Sequence, residues 1–264
     1  MNNIKIVFFI ILLFVCKISV AQIKLDKSYK YFRINLPKIN NYNYYSFSIL
    51  PPDIPAIPIL SGIFLPSDSI WFVSPKDKNS YIQSFAFGKS FCIYQINSNQ
   101  DSTWICKSYP NKMTFIKSLP LGVYSLRNLN GDSLLIWGLN YKTKKSEIFL
   151  YNGENTTVLF SDTSIIASIY PINCSNFFIS KNKEIIQYFY GKLRTIYISK
   201  YLIDGMSVDT SGNFYISDLS GVYKYDNHNK EFKKIISIVH GLLQFSNNKL
   251  FILWQEGLSI YVLY

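Results

Sequence analysis

Short hydrophobic runs alternate with clusters of turn-forming residues along most of the chain. Residues 205–226 show this pattern most clearly, with turns at 209–213 and 218–221. Asp, Ser and Asn bond their own backbone in such turns, and Gly accepts a positive φ without steric cost. The runs between the turns are rich in aromatic and β-branched residues, which favours strands. The predicted strands cover residues 205–208, 214–216, 222–225 and 231–238, and together predict one four-stranded antiparallel sheet.

The turn followed by a strand recurs along the sequence. Its copies lie at residues 68–72, 101–105, 131–136, 175–179, 212–216 and 248–252. A four-stranded unit repeated at roughly 36–40 residues is typical of a β-propeller, whose circular array leaves only short sheet edges. The sequence therefore predicts an all-β propeller of four-stranded antiparallel blades, six in number, with five or seven as alternatives. The aromatic residues at one shared repeat position are expected to form one core layer: Trp71, Trp104, Phe178, Tyr215 and Phe251.

The two ends of the chain predict how the ring closes. The last repeat stops in its third strand, at residues 258–264, so an N-terminal strand at 29–36 is expected to supply the missing outer strand and cover the open edge. The intervening residues 51–58 contain four prolines. Because proline lacks a backbone N–H, this stretch is predicted to be an extended linker that is neither helix nor central strand.

Residues 1–21 are predicted to be a secretory signal peptide. Lys5 precedes an apolar run at 6–16, and small residues stand before a cleavage position near Ala21. An uncleaved anchor is the alternative, but the run is short for a span of about 20 residues. We therefore expect one propeller domain at 22–264, with closing strands and linker at 22–58. The protein is expected to be secreted, periplasmic or at the cell surface, without a membrane span after cleavage.

Charge and cysteine content change this interpretation little. Removal of residues 1–21 takes away Lys5 and Lys17 and lowers the formal net charge from +11 to +9. The basic residues are scattered, which favours a solvated surface over a nucleic-acid site, and we expect a monomer. Of the remaining cysteines, Cys92 and Cys106 would pair only if their strands are adjacent. Otherwise they and Cys174 are expected to behave as small hydrophobic residues.

Residues 209–226 resemble the repeat of NHL-type and two-component-regulator-type propellers. The matching pattern is Asp-x-x-Gly-Asn-x-Tyr-Ile-x-Asp-x-x-Gly-Val-x-Lys-Tyr-Asp, and residues 255–261 echo the Gly-Leu ending of the second type. With its weaker copies, the resemblance covers about residues 60–264 and implies a propeller. It implies function only weakly, because such propellers serve as scaffolds, sensors and sometimes enzymes.

Propeller enzymes of the lactonase or lyase type hold a divalent cation in the central channel through several oxygen ligands. Asp204 is the best candidate ligand, since it stands just before an innermost strand. The comparable positions hold Ser61, Leu121 and His240. Because one carboxylate does not make a cation site, we expect no cofactor, with a channel cation such as calcium as the alternative. Asp209 is explained by an Asx turn.

Three other residues are candidates for binding. Trp137 and Trp254 lie just beyond the aligned repeat core and have no counterparts in other repeats. Irregular aromatic residues of this kind can form ligand platforms for sugars or peptides. His240 falls at the predicted mouth of the channel, where the alternative is a histidine that only packs. The candidate binding residues are therefore Asp204, Trp137, His240 and Trp254, with no catalytic residue and no metal ligand assigned.

The sequence supports three functions. The first is a non-catalytic propeller that binds a protein, peptide or glycan through its loops. The second is a metal-dependent hydrolase, lactonase or lyase, which requires at least three acidic or amide side chains to converge in the channel. The third is a detached sensor-type propeller that works with a membrane partner. The residues at the two mouths of the channel discriminate among them.

Overall fold

The structure, a computed structural model, consists of strands and turns. It describes residues 23–30, 47–50, 53–59, 62–65, 69–71, 81–87, 93–98, 103–109, 112–129, 131–226, 228–254 and 257–263. These residues contain no helix, and so no apolar helix long enough to cross a membrane. The predicted signal peptide at 1–21 lies outside the described residues.

The strands of the described residues form six four-stranded antiparallel sheets. β1 (Ile23–Lys30) belongs to the last of them. Sheet 1 contains β2 (Ser48–Leu50), β3 (Ile54–Ile59), β4 (Gly62–Leu65) and β5 (Ser69–Trp71), and sheet 2 contains β6 (Tyr81–Phe87), β7 (Ile93–Ser98), β8 (Thr103–Tyr109) and β9 (Lys112–Leu119). Sheet 3 contains β10 (Leu121–Asn128), β11 (Leu134–Asn140), β12 (Lys145–Tyr151) and β13 (Thr156–Asp162). Sheet 4 contains β14 (Ile166–Asn173), β15 (Asn176–Lys181), β16 (Glu184–Phe189) and β17 (Lys192–Ile198). Sheet 5 contains β18 (Ile203–Val208), β19 (Phe214–Asp218), β20 (Gly221–Asp226) and β21 (Glu231–Ile236), and sheet 6 contains β22 (Leu242–Ser246), β23 (Lys249–Trp254), β24 (Gly257–Leu263) and β1.

The first strands of successive sheets contact one another in sequence order, and β22 also contacts β2. The sheets therefore follow one another around a central axis, as in a β-propeller. The hydrophobic core lies between neighbouring sheets. On β11, Leu134 and Ile136 pack toward sheet 2, while Leu135 and Trp137 pack toward sheet 4. This division follows from the two-residue period of a strand, which places successive side chains on opposite faces.

The N-terminal strand pairs with β24 and so forms the outer strand of sheet 6. Its position differs from the predicted strand at 29–36, because β1 spans Ile23–Lys30. Residues 31–36 lie outside the described part of the chain. The pairing joins Ile23 to Leu263 and Lys30 to Gly257, with one irregularity between Leu25 and Lys27.

The prediction of a linker in the proline-rich stretch was wrong for residues 54–59. They form β3, which lies between β2 and β4. In the described pairs, residues 54–56 bond only to β2 and residues 57–59 bond only to β4. Among the described pairs each half of β3 therefore has one neighbouring strand, an arrangement in which proline is tolerated more easily than between two paired edges.

The prediction was also wrong about which strand of the sheet the first two repeat copies occupy. Phe178, Tyr215 and Phe251 lie on the second strands of their sheets, but Trp104 lies on the third strand of sheet 2 and Trp71 on the fourth strand of sheet 1. These five residues therefore do not form one layer. A turn followed by an alternating run looks the same at every strand of a meander, so the pattern locates strands without giving their place in the sheet.

Candidate binding face

Two of the predicted site residues, Asp204 and His240, contact each other. Asp204 is the second residue of β18, and His240 lies in the turn that leads into β22. His240 Nδ1 lies 2.9 Å from Asp204 Oδ2. Because β18 and β22 are first strands of neighbouring sheets, the pair joins sheets 5 and 6 at the end where these strands begin.

The backbone around the pair brings the two sheets close together. A side chain at Gly205 would place its Cβ 2.5 Å from the carbonyl oxygen of Gly241, so only glycine fits there. Ser217 Oγ donates a hydrogen bond to the same carbonyl oxygen. His240 itself has a φ of 53°, a left-handed conformation that turns the chain toward Asp204. The position of the imidazole is therefore set by backbone geometry as well as by its carboxylate partner.

Asp218 holds the turn that contains His240 in place. It is buried at the end of β19, and its backbone carbonyl accepts a hydrogen bond of 3.2 Å from the His240 N–H. Its Oδ1 accepts bonds from Ser220 N, Ser220 Oγ and Gly221 N at 2.8, 2.9 and 3.2 Å. One oxygen of the Asp218 carboxylate thus holds the turn at 219–220, and these three bonds offset part of the cost of burying its charge.

The electrostatics of the pair favour hydrogen bonding to a ligand. Burial raises the pKa of Asp204, His240 opposes this rise, and Asp218 adds to it. About half of the His240 side chain is exposed, and its Nε2 has no hydrogen-bond partner among the described residues. The Nδ1 bond fixes the ring, so Nε2 is free to bond an incoming polar group. The hydroxyls of Ser217 and Ser220 donate hydrogen bonds to Gly241 O and Asp218 Oδ1 and not to His240.

Exposed apolar residues adjoin the pair along the chain and at the end of the neighbouring strand β19. Leu202 is 59% exposed and precedes Asp204 by two residues, Leu219 is 54% exposed between Asp218 and Ser220, and Val239 is 38% exposed beside His240. We call these three residues together with Asp204 and His240 the inner-loop face. Large apolar side chains grouped around a polar centre are typical of interaction sites.

The two predicted tryptophans have different positions. Trp254 is half-buried at the end of β23, where its Nε1 donates to Ser259 Oγ at 3.3 Å. Its neighbour Leu253 pairs with Leu242, so Trp254 lies at the same end of sheet 6 as His240. Trp137 is only 1% exposed and packs between sheets 3 and 4. It cannot act as an exposed platform in this structure, because alternation on β11 directs it into the core.

The other candidate groups do not gather into a metal site. Among the residues that the structure describes, no three His, Cys, Asp or Glu side chains form a group suited to a metal ion. Asp209 Oδ1 accepts bonds from Ser211 N and Asn213 N, both at 2.9 Å. Its Oδ2 accepts bonds from Asn213 Nδ2 and the Tyr215 hydroxyl at 2.8 and 2.9 Å. Cys106 is buried, Cys174 is exposed, and Cys92 lies outside the described residues, so its pairing with Cys106 stays a prediction.

Sequence reasoning placed Asp218 in a turn but missed its bond to His240, and it missed the apolar members of the inner-loop face. Leu219 carried a usable signal, because a leucine within a predicted turn has no core to enter. Leu202 and Val239 stand similarly between predicted strands. The anchoring role of Asp218 could not be read from sequence, since its key bond joins it to a residue in the next sheet.

The fold defines a β-propeller repeat protein, and comparisons with known proteins agree at this level. No family model and no curated protein matches the sequence. Solved structures do match. The WD40 propeller domain of Doa1 is 10% identical with a TM-score of 0.59, covering 91% of this chain and 97% of that chain.

Two further solved structures are also similar. A chain of a nidogen–laminin complex is 14% identical with a TM-score of 0.58, covering 75% of this chain and 83% of that chain. The extracellular domain of a hybrid two-component system from B. thetaiotaomicron is 14% identical with a TM-score of 0.57. That match covers 85% of this chain but 33% of the other, so this chain spans a third of its length. Identities this low show the propeller fold alone.

Proposed function

We propose that this protein is a secreted, non-catalytic propeller of six blades that binds a protein or peptide through its inner-loop face. The single observation that carries the proposal is the grouping of Leu202, Leu219 and Val239 around the Asp204–His240 pair. An apolar surface with a fixed hydrogen-bonding centre suits a peptide segment that has both apolar side chains and polar backbone groups. A glycan is the alternative ligand, with the half-buried Trp254 as its nearest aromatic group.

The six-bladed ring is supported by the order of contacts. Each first strand touches the first strand of the next sheet, and β22 touches β2, so the contacts of the described residues close into a cycle. Pairing of β1 with β24 completes the sheet that contains both ends of the described chain. Secretion is supported by the signal-like residues 1–21 and by the similarity to an extracellular two-component domain.

The other two functions have weaker support. A channel enzyme needs several convergent ligands. Asp218, the acid whose charge acts on Asp204, instead accepts hydrogen bonds from its own turn through Oδ1. A sensor-type propeller is supported by the similarity to an extracellular two-component domain. A sensor would still use a ligand-binding surface, so the inner-loop face serves that function as well.

Binding measurements on the protein without residues 1–21 test the proposal. Immobilised peptide and glycan arrays provide the ligand, and each peptide that binds is then measured in solution with Leu219→Asp. We expect at least a tenfold loss of affinity, about 1.4 kcal/mol, because a carboxylate in an apolar contact must be desolvated. Leu193→Asp is the matched control, since Leu193 is similarly exposed (51%) but lies on the outer strand β17. A blank peptide array, or equal losses for both variants, contradicts the proposal.

A further inference from the structure

A cationic side chain lies within the ring of first strands. Arg127 is the penultimate residue of β10, and its Nη1 donates to the carbonyl oxygens of Leu126 and Phe47, each at 3.4 Å. Phe47 immediately precedes β2. Since β6 lies between β10 and β2 in the order of contacts, the guanidinium reaches Phe47 past the inner edge of β6. This path places it in the central channel.

Other hydrogen-bond donors lie around this guanidinium. Gln244, on β22, donates from Nε2 to the same Phe47 carbonyl oxygen. The Trp137 ring centroid lies 5.9 Å from Arg127 Cζ. Trp137 Nε1 is buried and has no hydrogen-bond partner in the described part of the chain. Arg127 from sheet 3 and Gln244 from sheet 6 thus donate to one carbonyl oxygen, while Trp137 packs in the core beside the guanidinium. The acceptors that bond Arg127 are two backbone carbonyls.

The charge of Arg127 is not matched by a carboxylate. No described residue forms an ion pair with it, and its two bonds are longer than is usual for a charged donor. A guanidinium has five N–H groups, so most of its donor capacity is unused. Burial lowers the pKa of Arg127 to about 10, which still leaves it charged at neutral pH. Arg127 is half-buried, and a cation in that position with no counter-charge among the described residues is unfavourable; an anion beside it would reduce that penalty.

We propose that Arg127 binds an oxyanion in the central channel, with Gln244 as a nearby donor. The ligand presents two oxygens to the planar guanidinium, as a carboxylate or a phosphate does. This site is separate from the inner-loop face and stands independently of the proposed function. The occupant is therefore a small anion or the anionic group of a larger ligand that enters the channel.

Thermal unfolding and calorimetric titration test the site. Sodium phosphate and sodium acetate are each added to the protein without residues 1–21, with sodium chloride used to hold ionic strength constant. We expect a saturable rise in Tm with at least one of the two anions, because a ligand of the folded state stabilises it. The anion that binds more tightly identifies the class, phosphate or carboxylate.

Three variants separate this site from general charge effects. Arg127→Gln should lower affinity at least tenfold, and Arg127→Lys should retain binding that is several-fold weaker, because lysine keeps the charge but loses the planar fork. Arg194→Gln is the matched control, since Arg194 is exposed on β17, and should bind as the wild type does. Absence of a saturable effect in the wild-type protein overturns the proposal even if Arg127→Gln fails to fold. An effect that persists in a folded Arg127→Gln protein overturns it equally.

Discussion

At the scale of single residues, aspartates with similar sequence surroundings have different roles. Asp209 and Asp218 each begin a turn, and their side-chain oxygens accept hydrogen bonds within it. Asp204 instead bonds His240 across a sheet boundary and keeps a raised pKa through burial. The sequence predicted the turn role of Asp209, because an Asx turn involves only neighbouring residues. Contact between Asp204 and His240 could not be predicted, because it depends on how closely two sheets approach.

The raised pKa of Asp204 predicts a pH-dependent cost to stability. The folded state binds the proton more tightly than the unfolded state, so the ionised carboxylate disfavours folding at pH values above its folded pKa. Asp204→Asn removes that cost, and we expect the variant to be more stable than the wild type in urea unfolding at neutral pH. The difference should vanish below the ordinary value of 3.8, where both states are protonated.

Glu154→Gln, at an exposed turn residue, controls for loss of one negative charge in that experiment. A stability gain for Asp204→Asn that persists unchanged in acid contradicts the linkage to ionisation. A loss of stability at neutral pH would show that the His240 bond outweighs the burial of the charge.

Asp209 gives a second prediction at this scale. Asp209→Ala removes the acceptor for two backbone N–H groups, one amide and the Tyr215 hydroxyl. Tyr215 is fully buried, so its hydroxyl loses a partner that water does not easily replace. We expect unfolding free energy to fall by about 1–3 kcal/mol, measured by urea denaturation.

Asp209→Asn is the matched variant, because its amide oxygen still accepts the backbone bonds of the turn. It should recover part of the loss. Equal destabilisation by Ala and Asn would contradict a role based on the backbone bonds.

At the scale of elements, the sequence predicted where most strands lie better than it predicted their order in the sheets. The units from β10 onward were placed correctly, because each has a flanking strand, a turn and a second strand in the same order. The two earlier units lack that regular spacing, and so Trp71 and Trp104 were assigned to the wrong strands. The prolines of β3 led us to predict a linker in place of a strand. Proline is excluded from a strand that is paired along both edges, whereas in the described pairs each half of β3 is paired along one edge.

The outer strand β1 gives a prediction at this scale. Removal of residues 22–30 leaves β24 with an open edge, because β1 pairs along it from Gly257 to Leu263. We expect a lower Tm and concentration-dependent association, since an open strand edge is a template for pairing with another chain. Size-exclusion chromatography coupled to light scattering measures association, and the protein that begins at residue 22 is the reference. A truncated protein that stays monomeric with an unchanged Tm contradicts this role of β1.

At the scale of the whole molecule, the fold alone does not identify the function. Structures of similar shape include the WD40 propeller domain of Doa1, a chain of a nidogen–laminin complex and an extracellular two-component domain, all at 14% identity or less. Function must therefore come from surfaces on the scaffold, and the two candidate surfaces differ in chemistry. The inner-loop face offers apolar side chains and an imidazole, while the channel offers a guanidinium.

This separation gives a prediction for the molecule as a unit. If the two surfaces act independently, peptide affinity at the inner-loop face should be the same with and without saturating anion in the channel. Likewise, Leu219→Asp should leave the anion affinity unchanged, because distant sites without shared partners behave additively. Titration of each ligand in the presence of the other measures the coupling, and a change of tenfold or more would show that the ring transmits binding between them.

The pairing of β1 with β24 also has a consequence for the order in which the molecule is built. Ile23 pairs with Leu263, so the earliest of the described strands to be synthesised waits for the latest of them. Each of sheets 2 to 5 consists of four strands that are consecutive in sequence and so can form locally as the chain emerges, whereas this final contact spans almost the full sequence. Contacts of such long range are slow to form, and partly folded chains expose strand edges until they do. The last step of folding should therefore be ring closure, and mutations in β1 should accelerate unfolding more than they slow the earlier steps.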